Sequence, residues 1–101
     1  MKIKFSRLHG EIRELMGCVS VSEIMGNTVL VRAFEEAQRI LTSQGKERHL
    51  MTGSLEREIR RLIAAISGAE LEQNPSLRNY IRTIEAILLQ MKIQSSVQKK
   101  N

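Results

Sequence analysis

The sequence predicts an all-α protein, and three observations lead to that prediction. Apolar residues recur at alternating spacings of three and four in four separate segments, which is the period of one face of an α-helix. Only three of the 101 residues are aromatic, so Leu, Ile, Val and Met side chains must build the core. Helix caps and glycines mark the boundaries between the segments. The length allows one domain with a single modest core.

The first helix is predicted at about residues 3–16. Its apolar stripe has spacings of three, four and three: Phe5, Leu8, Ile12 and Leu15. Gly17 suits the left-handed conformation that ends many helices. Shortly afterwards, Ser20 and Glu23 form the S-x-x-E pattern of a capping box, which predicts the start of the next helix. So short a connection makes the two helices antiparallel neighbours.

The second helix is predicted at about residues 21–43, with a kink or restart near Gly26. The stretch 28–31 is β-branched enough to suggest a strand, but the helical spacing continues through it and beyond: Leu30, Phe34, Ala37 and Leu41. Gly45 is expected to end this helix. The polar interval 44–53 is expected to be a mobile loop.

The third helix is predicted at about residues 54–67, with Ser54 as its cap and Gly68 at its end. Its apolar seam has helical spacing: Leu55, Ile59, Leu62 and Ile66. The sequence AELEQ at 69–73 is interpreted as a linker. No internal sequence repeat is visible.

The fourth helix, at about residues 75–94, has the broadest apolar face. Asn74 is a good N-cap acceptor, and Pro75 fits the first helical position, where its missing N–H costs nothing. A polar tail at 95–101 follows. The broad face must be covered by the rest of the chain or by a partner. The four helices therefore predict an up-down-up-down bundle, or two helical hairpins that complete a bundle in a dimer.

Charge and composition predict a soluble cytoplasmic protein. The formal net charge is +5, from 16 Lys and Arg against 11 Asp and Glu. No apolar run is long enough for a membrane span or a signal peptide, so no membrane partner is expected. The single cysteine, Cys18, cannot form an internal disulfide.

No catalytic or ligand-binding set is recognisable in the sequence. His9, Cys18 and His49 are too few for a closed zinc site, and no feature of the sequence brings them together as a nucleophile and base. The glycines never cluster as they do in a phosphate-binding loop. The sequence therefore predicts a non-enzymatic protein with no catalytic residues, no cofactor, no metal ion and no small-molecule substrate.

The function predicted from these features is protein–protein interaction, of the kind that small chaperones, adaptors and anti-activators perform. Such proteins offer a groove to a partner's amphipathic helix, and methionines help the groove to adapt. The fourth helix is the predicted surface for that partner and for a second copy in a homodimer. Its predicted contact residues are Leu77, Tyr80, Ile81, Ile84, Leu88 and Met91.

The alternative is a dimeric DNA-binding transcriptional regulator. If the third and fourth helices form an antiparallel hairpin, five arginines can follow a phosphate backbone: Arg57, Arg60, Arg61, Arg78 and Arg82. Interleaved glutamates weaken this interpretation, and no element suited to reading bases accompanies the charge. Nucleic acid is thus a possible partner but not the favoured one.

Overall fold

The chain is α-helical throughout the part that the structure describes. A computed structural model describes residues 3–44 and 51–99, which contain six helices and no strand. Their bounds are α1 (Phe5–Cys18), α2 (Val21–Gly26), α3 (Thr28–Gln44), α4 (Gly53–Ala65), α5 (Gly68–Gln73) and α6 (Pro75–Lys99). The predicted all-α class is confirmed. None of these helices, within the described ranges, is long and apolar enough to cross a membrane.

The second predicted helix restarts near Gly26, as expected. Asn27 separates α2 from α3, with φ −129° and ψ 80°, which are not helical values. Its side-chain Oδ1 accepts a hydrogen bond from the backbone N–H of Leu30 at 3.1 Å. Asn27 therefore ends one helix and caps the next, because an asparagine oxygen satisfies an N–H that the new helix leaves free.

The predicted linker at 69–73 is helical instead, and forms most of α5. Ser67 is the reason, since its Oγ accepts a hydrogen bond from the backbone N–H of Glu70 at 3.2 Å and caps the short helix. Asn74 then caps α6, as predicted, by accepting from the N–H of Leu77 at 3.2 Å. Gly68 therefore begins a helix rather than closing one.

Three other helix boundaries differ from the prediction. α1 continues past Gly17 to Cys18, so this glycine is not the residue that ends it. Thr52, rather than Ser54, caps α4, because its Oγ1 accepts from the N–H of Leu55 at 3.2 Å. α6 extends to Lys99 through most of the expected polar tail.

Residues 45–50, between α3 and α4, lie outside the part of the chain that the structure describes. Gly45, the residue expected to end the second predicted helix, and His49 both lie outside the described residues. Most of the polar interval 44–53, which was expected to be mobile, lies outside them as well.

The chain consists of two similar halves, and the expectation that it has no internal repeat is wrong. Ser20, Glu23 and Asn27 recur as Ser67, Glu70 and Asn74, a shift of 47 residues. With that shift α1, α2 and α3 correspond to α4, α5 and α6. Five buried pairs are identical at equivalent positions: Leu8 and Leu55, Ile12 and Ile59, Leu15 and Leu62, Leu30 and Leu77, Leu41 and Leu88.

Packing follows the same two-fold pattern. The helix pairs with the most extensive contacts are α3 with α4 and α1 with α6, and α1 also contacts α3. In the 47-residue correspondence α3 matches α6 and α4 matches α1. The pairing of α3 with α4 is therefore equivalent to the pairing of α6 with α1. Buried apolar residues of the four long helices form one continuous cluster, so the chain has a single core.

Candidate protein-binding surface

A cluster of hydrogen bonds joins the two halves where α1 and α4 end. We call it the clasp, and its members are Ser20, Glu23, Asn27, Ser67, Glu70 and Asn74. The backbone N–H and the Oγ of Ser20 both donate to the carboxylate of Glu70, at 2.8 Å each. The N–H and the Oγ of Ser67 donate to the carboxylate of Glu23, at 2.9 Å each. Each half thus binds the serine of the other.

The capping box predicted at Ser20 is therefore shared between the halves. Its first bond is as expected, since the Oγ of Ser20 accepts from the N–H of Glu23 at 3.3 Å. In an ordinary capping box the same glutamate returns a bond to the serine N–H. Here Glu70 of the other half accepts that N–H, while Glu23 accepts the N–H of Ser67.

The two asparagines complete the clasp. Asn27 Nδ2 donates to Glu23 Oε2 at 2.9 Å and to the carbonyl of Ala65, the last residue of α4, at 2.7 Å. Asn74 Nδ2 donates to Glu70 Oε2 at 3.1 Å and to the carbonyl of Cys18, the last residue of α1, at 2.7 Å. Carbonyls at helix C-termini lack helical partners, so both asparagines satisfy groups that would otherwise be unpaired.

The clasp favours the ionised form of both of its carboxylates. The backbone N–H of Ser67, followed by the side chain of Asn27, lowers the pKa of Glu23 below its ordinary value. The backbone N–H of Ser20, followed by the side chain of Asn74, lowers the pKa of Glu70. Hydrogen bonds to a carboxylate favour its charged form, and in both residues that effect exceeds the opposing effect of burial.

Held by the clasp, α2 and the first turn of α3 expose three large apolar side chains. We call them the α2 surface: Val21 is 72% exposed, Met25 79% and Val29 62%. The equivalent positions in the second half are also exposed, but they hold Gly68, Glu72 and Ser76. The fold accommodates polar or small residues at these positions, so the apolar side chains of the α2 surface are not needed to build it.

A surface cleft between α3 and α4 adjoins the α2 surface at Val29. Its volume is ≈ 350 Å³, and we call it the α3/α4 cleft; it is lined by Val29, Arg32, Ala33, Glu36, Glu58 and Arg61. Glu36 binds Arg39 through two hydrogen bonds, at 3.1 and 2.9 Å. Glu58 lies 3.4 Å from Arg61. Arg32 is exposed and has no ion pair among the described residues.

The equivalent positions between α1 and α6 carry more negative charge. Asn79 stands in place of Arg32 and Glu14 in place of Arg61, while Glu11 corresponds to Glu58. The negative charge of Glu14 is the largest of the effects that raise the pKa of Tyr80, followed by burial of the phenol. At these equivalent positions Glu11 and Glu14 have no basic counterpart, whereas two arginines balance two glutamates in the α3/α4 cleft.

The residues of α6 that were predicted to bind a partner lie mostly in the core. Leu77, Ile84 and Met91 are fully buried and Leu88 is 1% exposed, while Tyr80 and Ile81 are half-buried. The expectation that Ile84 and Leu88 rank among the most buried side chains is confirmed. The broad apolar face of α6 is thus covered by the chain's own helices, chiefly by α1. The more exposed apolar residues of α6 are Leu89 and Ile93.

The five arginines of the nucleic-acid alternative are all exposed, but three have partners within the chain. Arg60 pairs with Glu56 at 3.1 Å and Arg61 with Glu58 at 3.4 Å. Arg78 Nη1 donates to a backbone carbonyl of α5, that of Leu71, at 3.2 Å. The third and fourth predicted helices, now α4 and α6, do not form the main helix pair. α4 packs chiefly on α3, and α6 packs chiefly on α1. Arg57 and Arg82 have no ion pair within the described ranges.

Two of the three residues weighed for catalysis, His9 and Cys18, lie within the described residues. His9 lies on α1 and Cys18 at its end, both half-buried. Within residues 3–44 and 51–99, no group of three or more His, Cys, Asp or Glu side chains could hold a metal ion.

Comparison of the chain with models of protein families, with curated proteins and with solved structures finds no match. The part of the chain that the structure describes has six helices in two similar halves, and its candidate site is the α2 surface with the α3/α4 cleft.

Proposed function

We propose that the protein is a small non-enzymatic interaction protein, which binds an amphipathic helix of a partner protein on the α2 surface. The observation that carries the proposal is the difference between equivalent exposed positions of the two halves. Val21, Met25 and Val29 stand where the second half has Gly68, Glu72 and Ser76. Large apolar side chains that are exposed and not required by the fold are typical of a surface that meets a partner. A role as an adaptor, chaperone or anti-activator in the cytoplasm is consistent with this surface.

The size of the α2 surface favours a helix as its occupant. Three side chains of this kind expose on the order of 300 Å², at the lower end of the patches found on monomeric proteins. A stable interface between two globular subunits needs roughly 800 Å² from each. A single helix can place two or three anchors on such a patch at spacings of three and four residues, as grooves that bind helices require. A second copy of the chain is the competing occupant.

We infer that the four long helices form an up-down-up-down bundle closed within one chain. The clasp supports this arrangement, because it joins the C-terminal ends of α1 and α4 to the N-terminal ends of α3 and α6. The burial of Leu77, Ile84, Leu88 and Met91 supports it too, since no second chain is needed to cover them. The alternative of two hairpins completed by a dimer has no such support.

The test of the proposed function is selection of helix-forming peptides from a displayed library by the intact protein. We expect the selected peptides to share apolar residues at spacings of three and four. They should bind the double variant M25E/V29S at least about tenfold more weakly, as loss of central anchors does. The matched control E72Q/S76A changes the equivalent positions of the second half and should bind as the parent protein does.

Two outcomes would overturn the proposal. In the first, the selected peptides bind M25E/V29S as well as the parent protein, although circular dichroism shows the same helix content. In the second, sedimentation shows a stable dimer that M25E/V29S dissociates, which would make a second copy the occupant of the α2 surface.

A further inference from the structure

We infer that the partner helix carries acidic side chains beside its apolar anchors, and that Arg32 in the α3/α4 cleft selects it over a basic helix. The inference rests on the proposed function, because the cleft and the α2 surface share Val29. A helix anchored on that residue lies next to the cleft. The charges of the cleft are therefore part of the surface that a partner meets.

Arg32 is the charged side chain of the cleft that is available to a partner helix. Both cleft carboxylates have partners, since Glu36 binds Arg39 and Glu58 lies beside Arg61. Glu58 Oε2 has no hydrogen-bond partner, but this atom is buried and so is out of a partner's reach. Arg32 is exposed and has no ion pair within the described residues. A guanidinium presents several donors in a planar fork that matches a carboxylate, so an acidic side chain is its natural partner.

The equivalent face between α1 and α6 explains how one chain would offer a single binding face. At the positions of Arg32 and Arg61 it has Asn79 and Glu14, with Glu11 close by. An acidic helix that approaches this face meets like charge and finds no apolar anchor sites at Gly68, Glu72 and Ser76. Repulsion at the wrong site gives specificity as effectively as attraction at the right one. The two equivalent faces would therefore not compete for the same helix.

The test uses two fluorescent synthetic peptides with the same leucine anchors, one flanked by glutamates and the other by lysines. Binding to the intact protein is measured by anisotropy at low and moderate salt. We expect the acidic peptide to bind more tightly, and R32E to weaken it at least about fivefold. That loss should shrink as salt screens the charges. The control R82E makes the same change of charge at an exposed position of α6 and should leave binding unchanged.

The possible results separate the inference from the proposed function. Any of three results excludes the acidic partner: both peptides bind equally, the basic peptide binds more tightly, or R32E has no more effect than R82E. In each of these cases, loss of binding in M25E/V29S still supports the α2 surface. If M25E/V29S binds both peptides like the parent protein, or if the parent binds neither, the proposed function fails together with the inference.

Discussion

The two halves of the chain share buried residues at equivalent positions but differ in several of their exposed residues. Five buried pairs are identical at positions 47 residues apart, and the serine, glutamate and asparagine of the clasp are the same in each half. At three equivalent exposed positions the first half has Val21, Met25 and Val29, whereas the second has a glycine, a glutamate and a serine. Because the same fold is built with both sets, the comparison separates residues that form the structure from residues that are available for another purpose.

The difference also concerns charge. The α3/α4 cleft contains two arginines and two glutamates, whereas the equivalent positions between α1 and α6 contain Glu11 and Glu14 and no basic residue. Two equivalent faces thus differ in charge, one balanced and the other acidic. A partner that distinguishes them must do so by side-chain chemistry rather than by shape.

The largest expected effect on stability tests whether equivalent core residues of the two halves contribute equally to the free energy of unfolding. Leu30 and Leu77 occupy equivalent positions, and both are fully buried. We expect Leu30→Ala and Leu77→Ala each to lower the free energy of unfolding by about 2–5 kcal/mol, the range for a leucine removed from a packed core. Urea denaturation of both variants measures this. A difference of more than about 2 kcal/mol between them would show that the halves are not energetically equivalent.

The next effect concerns the clasp. Glu70 is 8% exposed and accepts hydrogen bonds from the N–H and Oγ of Ser20 and from Asn74. We expect Glu70→Ala to cost about 1.5–3 kcal/mol, because it leaves a backbone N–H without its charged partner. Glu23→Ala should cost less, since Glu23 is more exposed. The control Glu72→Ala, at an exposed neighbouring position, should change stability by less than about 0.5 kcal/mol.

Acid should weaken the clasp in both halves. Hydrogen bonds lower the pKa of Glu23 and of Glu70 below their ordinary value of 4.5. The folded protein therefore binds protons less readily than the unfolded chain, so this stabilisation is complete above that value and is lost as the pH falls through the lowered pKa values. Urea denaturation between pH 7 and pH 3 measures the loss. The variant E23Q/E70Q should lose less stability over this interval, and an unchanged slope would mean that other groups control it.

A smaller effect is expected from the serine caps. Ser20→Ala and Ser67→Ala should each cost about 0.5–2 kcal/mol, the usual range for an N-cap. Ser54→Ala is the matched control, because Thr52 rather than Ser54 caps α4. Thermal unfolding of the three variants compares them. If Ser54→Ala destabilises as much as the other two, the cap assignment at α4 is incorrect.

The smallest expected effect on stability lies at the surface. Met25→Glu and Glu72→Met exchange the exposed side chains of equivalent positions, and each should change the free energy of unfolding by less than about 0.5 kcal/mol. Chemical denaturation measures both. A loss above about 1 kcal/mol for Met25→Glu would show that Met25 supports the fold. The inference that the fold does not need the apolar side chains of the α2 surface would then fail.

Apolar periodicity was sufficient to predict the four long helices, because their stripes extend over many turns. It could not reveal α5, which has only six residues and depends on a serine cap. It also missed the repeat, since the clearest shared residues are the polar Ser20, Glu23 and Asn27 and their counterparts, which do not contribute to an apolar stripe. A search for equal spacing of polar residues would have found it.

The candidate site was harder to predict than the fold. The breadth of the α6 face suggested an open surface, but sequence spacing does not show which face a neighbouring helix covers, and α1 covers much of it. The exposure of Val21 and Met25 depends on the angle at which α2 leaves α1, and that angle is set by tertiary contacts of the clasp. Glu23 and Glu70 likewise exchange their serine partners only when the two halves pack together.

The exchanged caps also determine when in folding each half is completed. The clasp bonds that cross between the halves join residues 38 to 56 positions apart, so the chain must close long loops before any of these bonds can form. Helices α2 and α5 therefore acquire their full set of caps late, after the long helices have packed. Substitutions at Glu23 or Glu70 should accelerate unfolding far more than they slow folding, which corresponds to φ-values near zero. The amide protons of α2 and α5 should then exchange together rather than half by half.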